Sequence, residues 1–330
     1  MASVPPWHLP PGSKDAFTVP VAVRADGSAV SLPVLVVRGA TAGKTLLATA
    51  GVHGDEFEGM AALRHLYGEL TPDGLTGTFV AVPVANPPAF EAGLRTNPDD
   101  RQDMARVFPG DLRGTITEQL AARLTEWIAA ADFYCDLHSA GQYYRMPALV
   151  GYQLRPGVLE AQRAAARAFG MPLVWGTPGL PGRSLSAASE AGVPSLYVEI
   201  TGEGRCRPED VARYRRGLLN LLRHLGLREG IVDTEEPQWF VEDDRTQAGF
   251  LQIQNRAPVG GFFTPEVDVL TAVMRKQRLG TICDALGRVR HVVEAPHEGL
   301  VVFLRTFPRV LAGDPVCTVL QVDAVGGAHA

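Results

Sequence analysis

Short apolar runs and longer segments of mixed polarity alternate along the first two thirds of the chain. The short runs are bounded by glycine, proline and Asp-Gly turns, which is typical of β-strands. The longer segments repeat apolar residues every three or four positions, which predicts helices with one buried face. Strands are predicted at 16–23, 30–37, 45–51, 78–84, 132–137, 148–152 and 195–200, and helices at 57–70, 115–128, 156–169 and 208–225.

Several helix ends carry their own signals. Thr115 and Glu118 have the spacing of a capping box, and Gly170 and Gly226 follow the last turns of two predicted helices. The alternation of strands and helices predicts an α/β fold, with a mixed, mostly parallel sheet covered by helices on both faces. This catalytic domain is predicted to span residues 1–228.

The pattern changes beyond Glu229, where helical periodicity disappears. Glycine and proline turns there separate short apolar runs at 238–241, 290–294, 299–304 and 316–322. Such spacing is typical of a small all-β domain. Residues 229–330 are therefore predicted to form a β-rich C-terminal domain that borders the active site.

One connection is unusually long. Residues 86–114 include four prolines, three glycines and nine charged residues, and they show no convincing periodicity. Unstructured connections of this length are uncommon in compact domains unless they serve a function. We expect this loop to line a site.

Composition excludes several classes of protein. Hydrophobic residues make up 46% of the 330, and the net charge of -5 with no run of basic residues argues against nucleic-acid binding. There is no apolar run of membrane-spanning length, and the first residues are rich in proline instead of forming a signal peptide. The four cysteines are scattered with no CxxC, which fits neither a disulfide framework nor a thiolate zinc site. We predict a soluble, cytoplasmic protein with no membrane partner.

Candidate chemistry begins at the switch from the third predicted strand to the first helix. His53 and Glu56 lie in Gly-Val-His-Gly-Asp-Glu, and open α/β sheets build their sites at such strand ends. The spacing alone is weak, because His291 and Glu294 repeat it. That second pair lies in a predicted strand, where residues three apart point to opposite faces, so we interpret it as structural.

Two more ionisable residues stand at the ends of apolar runs. His138 ends Asp136-Leu-His138, and Glu199 follows Ser-Leu-Tyr-Val. Neither belongs in an apolar strand without a partner, since a buried carboxylate is costly unless it is paired or metal-bound. Two histidines and one carboxylate are a common ligand set of catalytic zinc sites, and Asp136 could orient a ligand from behind.

These segments resemble the succinylglutamate desuccinylase/aspartoacylase family of zinc amidohydrolases, which is related in fold to the zinc carboxypeptidases. The resemblance rests on Gly51–Glu56, Asp136–His138, Val198-Glu199 and the loop that ends in Arg-Val-Phe-Pro-Gly. It implies one zinc ion per chain, held by His53, Glu56 and His138. It also implies that Glu199 is the general base, which accepts a proton from the attacking water and passes it to the leaving nitrogen.

The resemblance also assigns arginines. Arg106 matches the family arginine that binds a substrate carboxylate, and Arg95 lies where the arginine that polarises the carbonyl is often found. Arg183 is a further candidate anion contact. Ala105 replaces the family's usual asparagine, which predicts poor activity on N-acetylaspartate and N-succinylglutamate and better activity on substrates with a neutral or basic side chain.

The sequence thus predicts a zinc-dependent deacylase that hydrolyses the amide bond of a small N-acyl amino acid or related metabolite. A zinc carboxypeptidase or an esterase could use the same metal and base, and a metal-binding homologue without catalysis is the non-enzymatic alternative. The partner is a small N-acylated molecule. Whether chains form a homo-oligomer is left open by the sequence.

Overall fold

A computed structural model describes residues 5–322 of the chain, which form two compact units. The first unit contains the chain up to Ser139, then Ala148–Glu199 and Arg205–Ala248. The second contains Ala140–Pro147, Ile200–Gly204 and the chain from Gly249 onward. The chain therefore passes from the first unit to the second three times.

The helices and strands have the following bounds. The strands are β1 (Ser13–Val23), β2 (Ala29–Arg38), β3 (Thr41–Ala50), β4 (Thr76–Val82), β5 (Phe133–Leu137), β6 (Tyr144–Arg145), β7 (Leu149–Gln153), β8 (Leu173–Thr177), β9 (Ser195–Glu199), β10 (Trp239–Glu242), β11 (Gly261–Pro265), β12 (Ala272–Val273), β13 (Arg278–Cys283), β14 (Val289–Glu294), β15 (Gly299–Arg305), β16 (Arg309–Val310) and β17 (Cys317–Leu320). The helices are α1 (Phe57–Glu69), α2 (Pro87–Ala92), α3 (Ile116–Ala129), α4 (Leu159–Phe169), α5 (Ser184–Glu190) and α6 (Pro208–His224), with short 3-10 turns at Pro72–Gly74 and Met104–Arg106.

The first unit is built on a nine-stranded sheet with the order β1-β2-β4-β3-β5-β9-β7-β8-β10. The pairs β4/β3, β3/β5, β5/β9, β7/β8 and β8/β10 are parallel, and β1/β2, β2/β4 and β9/β7 are antiparallel. This mixed, mostly parallel sheet is the one that the sequence pattern predicts.

Helices cover both faces of this sheet. Asp136 and Leu137 are neighbours on β5, so their side chains point to opposite faces. Leu137 packs against α1, because a Cβ atom built on Gly59 would lie 2.8 Å from the Cβ of Leu137. Asp136 accepts a hydrogen bond from Ser184 of α5 on the other face. The α/β fold class is confirmed.

Local signals are confirmed where their chemistry is specific. Thr115 and Glu118 form the reciprocal capping box at the start of α3, with 2.7 Å between the Thr115 nitrogen and the Glu118 Oε2. The helix predicted from residue 156 begins instead at Leu159, because Gly157 lies in a turn with a φ of 92°.

Several elements of the first unit differ from the prediction. The strand β8 and the helix α5 were not predicted, and the 86–114 connection contains α2 and a 3-10 turn. Asn86 caps α2 by accepting a hydrogen bond from the Ala89 nitrogen at 3.4 Å, and prolines occupy its first turn. So short a helix has no room to display an apolar period.

The second unit contains two antiparallel sheets, with the orders β14-β13-β11-β16 and β12-β15-β17, and β6 pairs with β15. Its core is mainly aliphatic, with Leu279, Ile282 and Val301 fully buried. The strand expected at 238–241 is β10, which pairs with β8 in the large sheet and not with these strands. Across residues 5–322, no helix is both long and apolar enough to cross a membrane.

Candidate metal centre and active site

The candidate site lies where three parallel strands of the first unit end. Leu137 of β5 is in register with Ala50 of β3 on one side and with Val198 of β9 on the other. The backbone nitrogen of His138 donates to the carbonyl oxygen of Val198 at 2.8 Å. His138 and Glu199 therefore lie side by side at the same edge of the sheet, although the sequence separates them widely.

A tight turn places the third group at this edge. After β3 ends, Gly51 adopts a φ of 68°, and a Cβ atom there would lie 2.8 Å from the Cε of Met60. Only glycine fits this conformation and this space without strain. The turn carries His53, and Glu56 occupies the N-cap position of α1 without a side-chain capping hydrogen bond.

His53, Glu56 and His138 converge. The Nδ1 of His53 lies 2.7 Å from the Glu56 Oε1, and the Nδ1 of His138 lies 3.0 Å from the Glu56 Oε2. One potential ligand atom from each residue falls within 4.8 Å of the others. The backbone nitrogen of Ser139 donates to the Glu56 Oε2 at 3.1 Å and fixes the carboxylate.

Each histidine also contacts a second carboxylate through its other ring nitrogen. The Nε2 of His53 lies 3.0 Å from Asp103, and the Nε2 of His138 lies 3.1 Å from Asp136. Histidines that bind metals are usually held in this way, because the outer carboxylate fixes the ring and makes the inner nitrogen more basic. The arrangement leaves both Nδ1 atoms facing one centre, so the residues present fit a divalent cation.

Asp103 was not among the predicted site residues. It precedes Arg106 in Asp-Met-Ala-Arg, the segment that matches a family motif, so the signal was present. What the sequence could not show is that the loop folds back and brings this carboxylate to His53.

The electrostatics of the cluster favour a cation. Burial alone would raise the pKa of Glu56, but the adjacent His53 and His138 hold it well below its ordinary value. His53 and Arg95 likewise outweigh burial and lower the pKa of Asp103. The three carboxylates that contact the two imidazole rings all have a lowered pKa, so they stay ionised, which is the form that can bind a cation.

Glu199 differs from these carboxylates. It is half-buried at the end of β9, and within residues 5–322 its buried Oε2 atom has no hydrogen-bond partner. Burial raises the pKa of Glu199 to about 8, against the opposing charges of His138, Arg95 and Arg183. A carboxylate oxygen that no protein donor satisfies is available to a substrate or a water.

The predicted arginines surround the same charges. One Arg95 nitrogen lies 3.5 Å from Glu56, and another lies 3.4 Å from Asp103. Burial lowers the pKa of Arg183 to about 10, and the nearby positive charge of Arg106 contributes. Arg95, Arg106 and Arg183 are therefore close enough for their charges to influence one another's pKa.

The loops that carry Arg106 and Arg183 pack backbone to backbone. The Phe108 nitrogen donates to the carbonyl oxygen of Gly182 at 3.1 Å, and a Cβ atom on Gly182 would lie 2.3 Å from the Arg106 carbonyl oxygen. Ala105, next to Arg106, is buried. The close approach that glycine permits brings the two arginine-bearing loops together.

Comparisons with known proteins identify the family to which this fold and this site belong. Residues 42–225 match the catalytic domain of the succinylglutamate desuccinylase/aspartoacylase family, and the chain belongs to this family.

Individual relatives extend over different shares of the chain. The N-alpha-acetyl-L-2,4-diaminobutyric acid deacetylase of Halomonas elongata is 36% identical over 220 residues, which cover 65% of this chain and 64% of that protein. The product-bound structure of the ectoine utilization protein EutE (DoeB) from Ruegeria pomeroyi has a TM-score of 0.86 and 27% identity, covering 95% of this chain and 96% of that chain. A succinylglutamate desuccinylase/aspartoacylase structure from Rhodobacter sphaeroides has a TM-score of 0.84 and 30% identity, covering 97% and 98%.

Proposed function

We propose that this protein is a zinc-dependent amidohydrolase that removes an acyl group from a small N-acyl amino acid. The observation that carries the proposal is the convergence of two histidine Nδ1 atoms on the carboxylate of Glu56, each ring backed by its own outer carboxylate. The carboxylate of Glu199 stands at the neighbouring strand end. The deacetylase named among the relatives supports the same class of reaction.

His53, Glu56 and His138 would hold the zinc. Two histidines and one carboxylate leave a fourth position open, which is the arrangement of catalytic sites and not of structural ones. When bound, zinc would supply a Lewis acid for the amide carbonyl and a site where water ionises near neutral pH. Asp103 and Asp136 would fix the two rings.

Glu199 would move the proton. Its unpartnered Oε2 can accept a proton from the attacking water and then donate it to the leaving nitrogen, so that one group serves both halves of the reaction. A cation at the ligand cluster favours the ionised carboxylate, and its pKa then falls below the value of about 8 set by burial. The cation would therefore increase the fraction of Glu199 that is ionised, and can act as a base, at neutral pH.

The arginines would bind and polarise the substrate. Arg95 lies against both Glu56 and Asp103, and we assign it to the carbonyl oxygen, on which negative charge develops during attack. Arg106 would bind the α-carboxylate, since a guanidinium can bind both oxygens at once. Arg183 would add a further contact to the anion.

The substrate class follows from Ala105. An asparagine at this position would offer two donors and one acceptor, whereas alanine offers none, so a second carboxylate on the substrate gains nothing there. We therefore assign a neutral or basic side chain to the amino acid. The relative from Halomonas elongata is named for a substrate whose side chain is basic, which supports this assignment.

One preparation with its metal content quantified tests the proposal. Amine release is measured from N-acetyl, N-succinyl and N-formyl amino acids, with peptide and ester panels beside them. Turnover of an N-acyl amino acid that a chelator abolishes and zinc restores is the expected result. Faster turnover of peptides or esters would instead identify a carboxypeptidase or an esterase, and a zinc-loaded but inert protein would contradict catalysis.

Ala105→Asn tests the substrate class. For the wild type we expect kcat/KM to be higher with a neutral or basic N-acetyl amino acid than with N-acetylaspartate. The variant should shift this ratio toward N-acetylaspartate, because it restores polar contacts to the second carboxylate. A wild-type preference for the diacid of tenfold, or about 1.4 kcal/mol, would contradict the assignment.

A further inference from the structure

Asp136, the carboxylate behind His138, is itself held by hydroxyl groups. Its Oδ1 accepts a hydrogen bond from the Thr49 hydroxyl at 2.7 Å, and its Oδ2 accepts one from the Ser184 hydroxyl. The Tyr134 hydroxyl lies 2.7 Å from the Thr49 oxygen. Since Thr49 has one hydroxyl proton and gives it to Asp136, Tyr134 is the donor in that pair. The hydroxyls thus converge on one carboxylate, Tyr134 through Thr49 and Ser184 directly.

The burial of Asp136 makes its hydrogen-bond donors important for stability. Thr49, Tyr134, Asp136 and Ser184 are all buried, and Asp136 is 1% exposed. A buried carboxylate without donors would cost several kcal/mol. The two hydroxyl donors come from different elements, one from β3 and one from the first residue of α5, and each satisfies one oxygen.

Their geometric effect falls on His138. The terminal torsion of an aspartate side chain is soft, so an isolated Asp136 could turn its oxygens away from the ring. With one donor on each oxygen, the carboxylate plane is fixed, and the Oδ2 remains 3.1 Å from the Nε2 of His138. That contact sets the orientation of the ring, and with it the direction of the Nδ1 atom that faces Glu56.

We propose that Thr49 and Ser184 are positioning residues which tune the affinity of the cluster for its divalent cation by clamping Asp136 against His138. The inference rests on the proposed function only in taking His53, Glu56 and His138 as zinc ligands. Neither hydroxyl belongs to the candidate ligand set of His53, Glu56 and His138. They act through two intervening side chains, those of Asp136 and His138.

Zinc affinity, measured by competition with a chelator and without any assay of turnover, tests the clamp. Thr49→Val and Ser184→Ala should each weaken zinc binding by about tenfold, the lower end of the effect of groups that orient metal ligands. Thr49→Ser and Ser184→Thr retain the hydroxyl and should bind zinc like the wild type. Ser189→Ala, a buried serine on the same helix, is the matched control and should leave the affinity unchanged.

The route through Asp136 is tested by a double-mutant cycle. In an Asp136→Ala background, adding Ser184→Ala should cause no further loss of zinc affinity, because the carboxylate on which it acts is gone. A further tenfold loss there would overturn the clamp, as would wild-type affinity in both single variants when thermal unfolding shows them to be folded. A wild-type chain that binds no zinc would overturn the proposed metal site and this inference together, whereas zinc-dependent turnover with an unchanged affinity in the variants would overturn this inference alone.

Discussion

His53 and His138 each contact carboxylates through both ring nitrogens, so replacing either residue removes two contacts at once. Their Nδ1 atoms face Glu56, and their Nε2 atoms face Asp103 and Asp136. A ring held from behind by a carboxylate has little freedom to choose another partner. The carboxylates on both sides therefore hold each ring with its Nδ1 atom toward Glu56.

His138→Ala should remove zinc. The variant loses one of the three proposed ligands, and alanine offers no atom that can bind the metal. Metal analysis should find one zinc per wild-type chain and almost none in the variant. His291→Ala, which removes the histidine of the second His-x-x-Glu pair in β14, is the control and should keep the metal. Full zinc content in His138→Ala would refute the assignment.

Glu199→Gln should separate catalysis from metal binding. Glutamine has nearly the same shape but cannot accept the proton of water, so kcat should fall by about 100-fold or more while zinc stays bound. The acidic limb of the pH–rate profile, which reports the ionisation of the base, should disappear from the residual activity. Glu190→Gln, on the exposed end of α5, should behave like the wild type. Loss of zinc, or unchanged turnover, would point to a structural role.

At the scale of single residues, the sequence is informative where an ionisable group interrupts an apolar run. His138 and Glu199 were found in this way, and the structure brings them to the same sheet edge. Asp103 lies in a loop with many other charged residues, so the sequence pattern does not distinguish it from them. Its position depends on how the chain folds between residues 86 and 114, and no local pattern encodes that path.

At the scale of helices and strands, prediction follows the length of the element. The long helices α1, α3 and α6 repeat their apolar face often enough to be read directly. The strand β8 has five residues, all buried, and is followed by glycines and prolines that obscure its end. The helix α5 has seven residues, mostly alanine and serine, so it offers little contrast between faces. Both form because their neighbours cover them.

One glutamate of the edge strand β10 connects it with two further elements. Glu242 accepts hydrogen bonds from the Tyr152 hydroxyl at 2.6 Å and from two nitrogens of Arg163 at 2.7 Å. It thereby connects β10 with β7 and α4. The hydrogen bonds from Arg163 outweigh burial and lower the pKa of Glu242 below its ordinary value of 4.5.

Glu242→Gln should therefore destabilise the protein in a way that depends on pH. Because the pKa is lowered in the folded state, the stabilisation is fully present above pH 4.5 and is lost as the pH falls through the lowered value. We expect the free energy of unfolding at pH 7 to fall by about 1–2 kcal/mol, and the difference from the wild type to shrink at pH 3. Glu160→Gln, which removes an exposed partner of the same arginine, should change little at either pH. An unchanged Tm in Glu242→Gln at pH 7 would contradict the anchoring role.

At the scale of the whole molecule, the second unit is assembled from three separate parts of the chain. Arg145 shows this in a single side chain. It pairs with Glu203 at 3.1 Å and with Asp268 at 2.9 Å, so that each of the three parts contributes one residue. Beside it, the rings of Tyr144 and Phe303 stack with centroids 4.3 Å apart. Two of these parts are too short to show any periodicity, which is why the sequence pattern indicates only the third.

This assembly limits how the protein can be recombined with its relatives. One possible chimera with the Rhodobacter sphaeroides relative exchanges only the residues after Gly249. In this chimera, β15 of one parent would pair with β6 of the other. The residues at 145 and 203 would come from one parent and the residue at 268 from the other. We expect this chimera to melt well below both parents, while a chimera that also exchanges 140–147 and 200–204 keeps these contacts intact and approaches parental Tm. The two short parts directly follow Ser139 and Glu199. The crossover points of this second chimera therefore lie beside His138, a candidate zinc ligand, and Glu199, the candidate base.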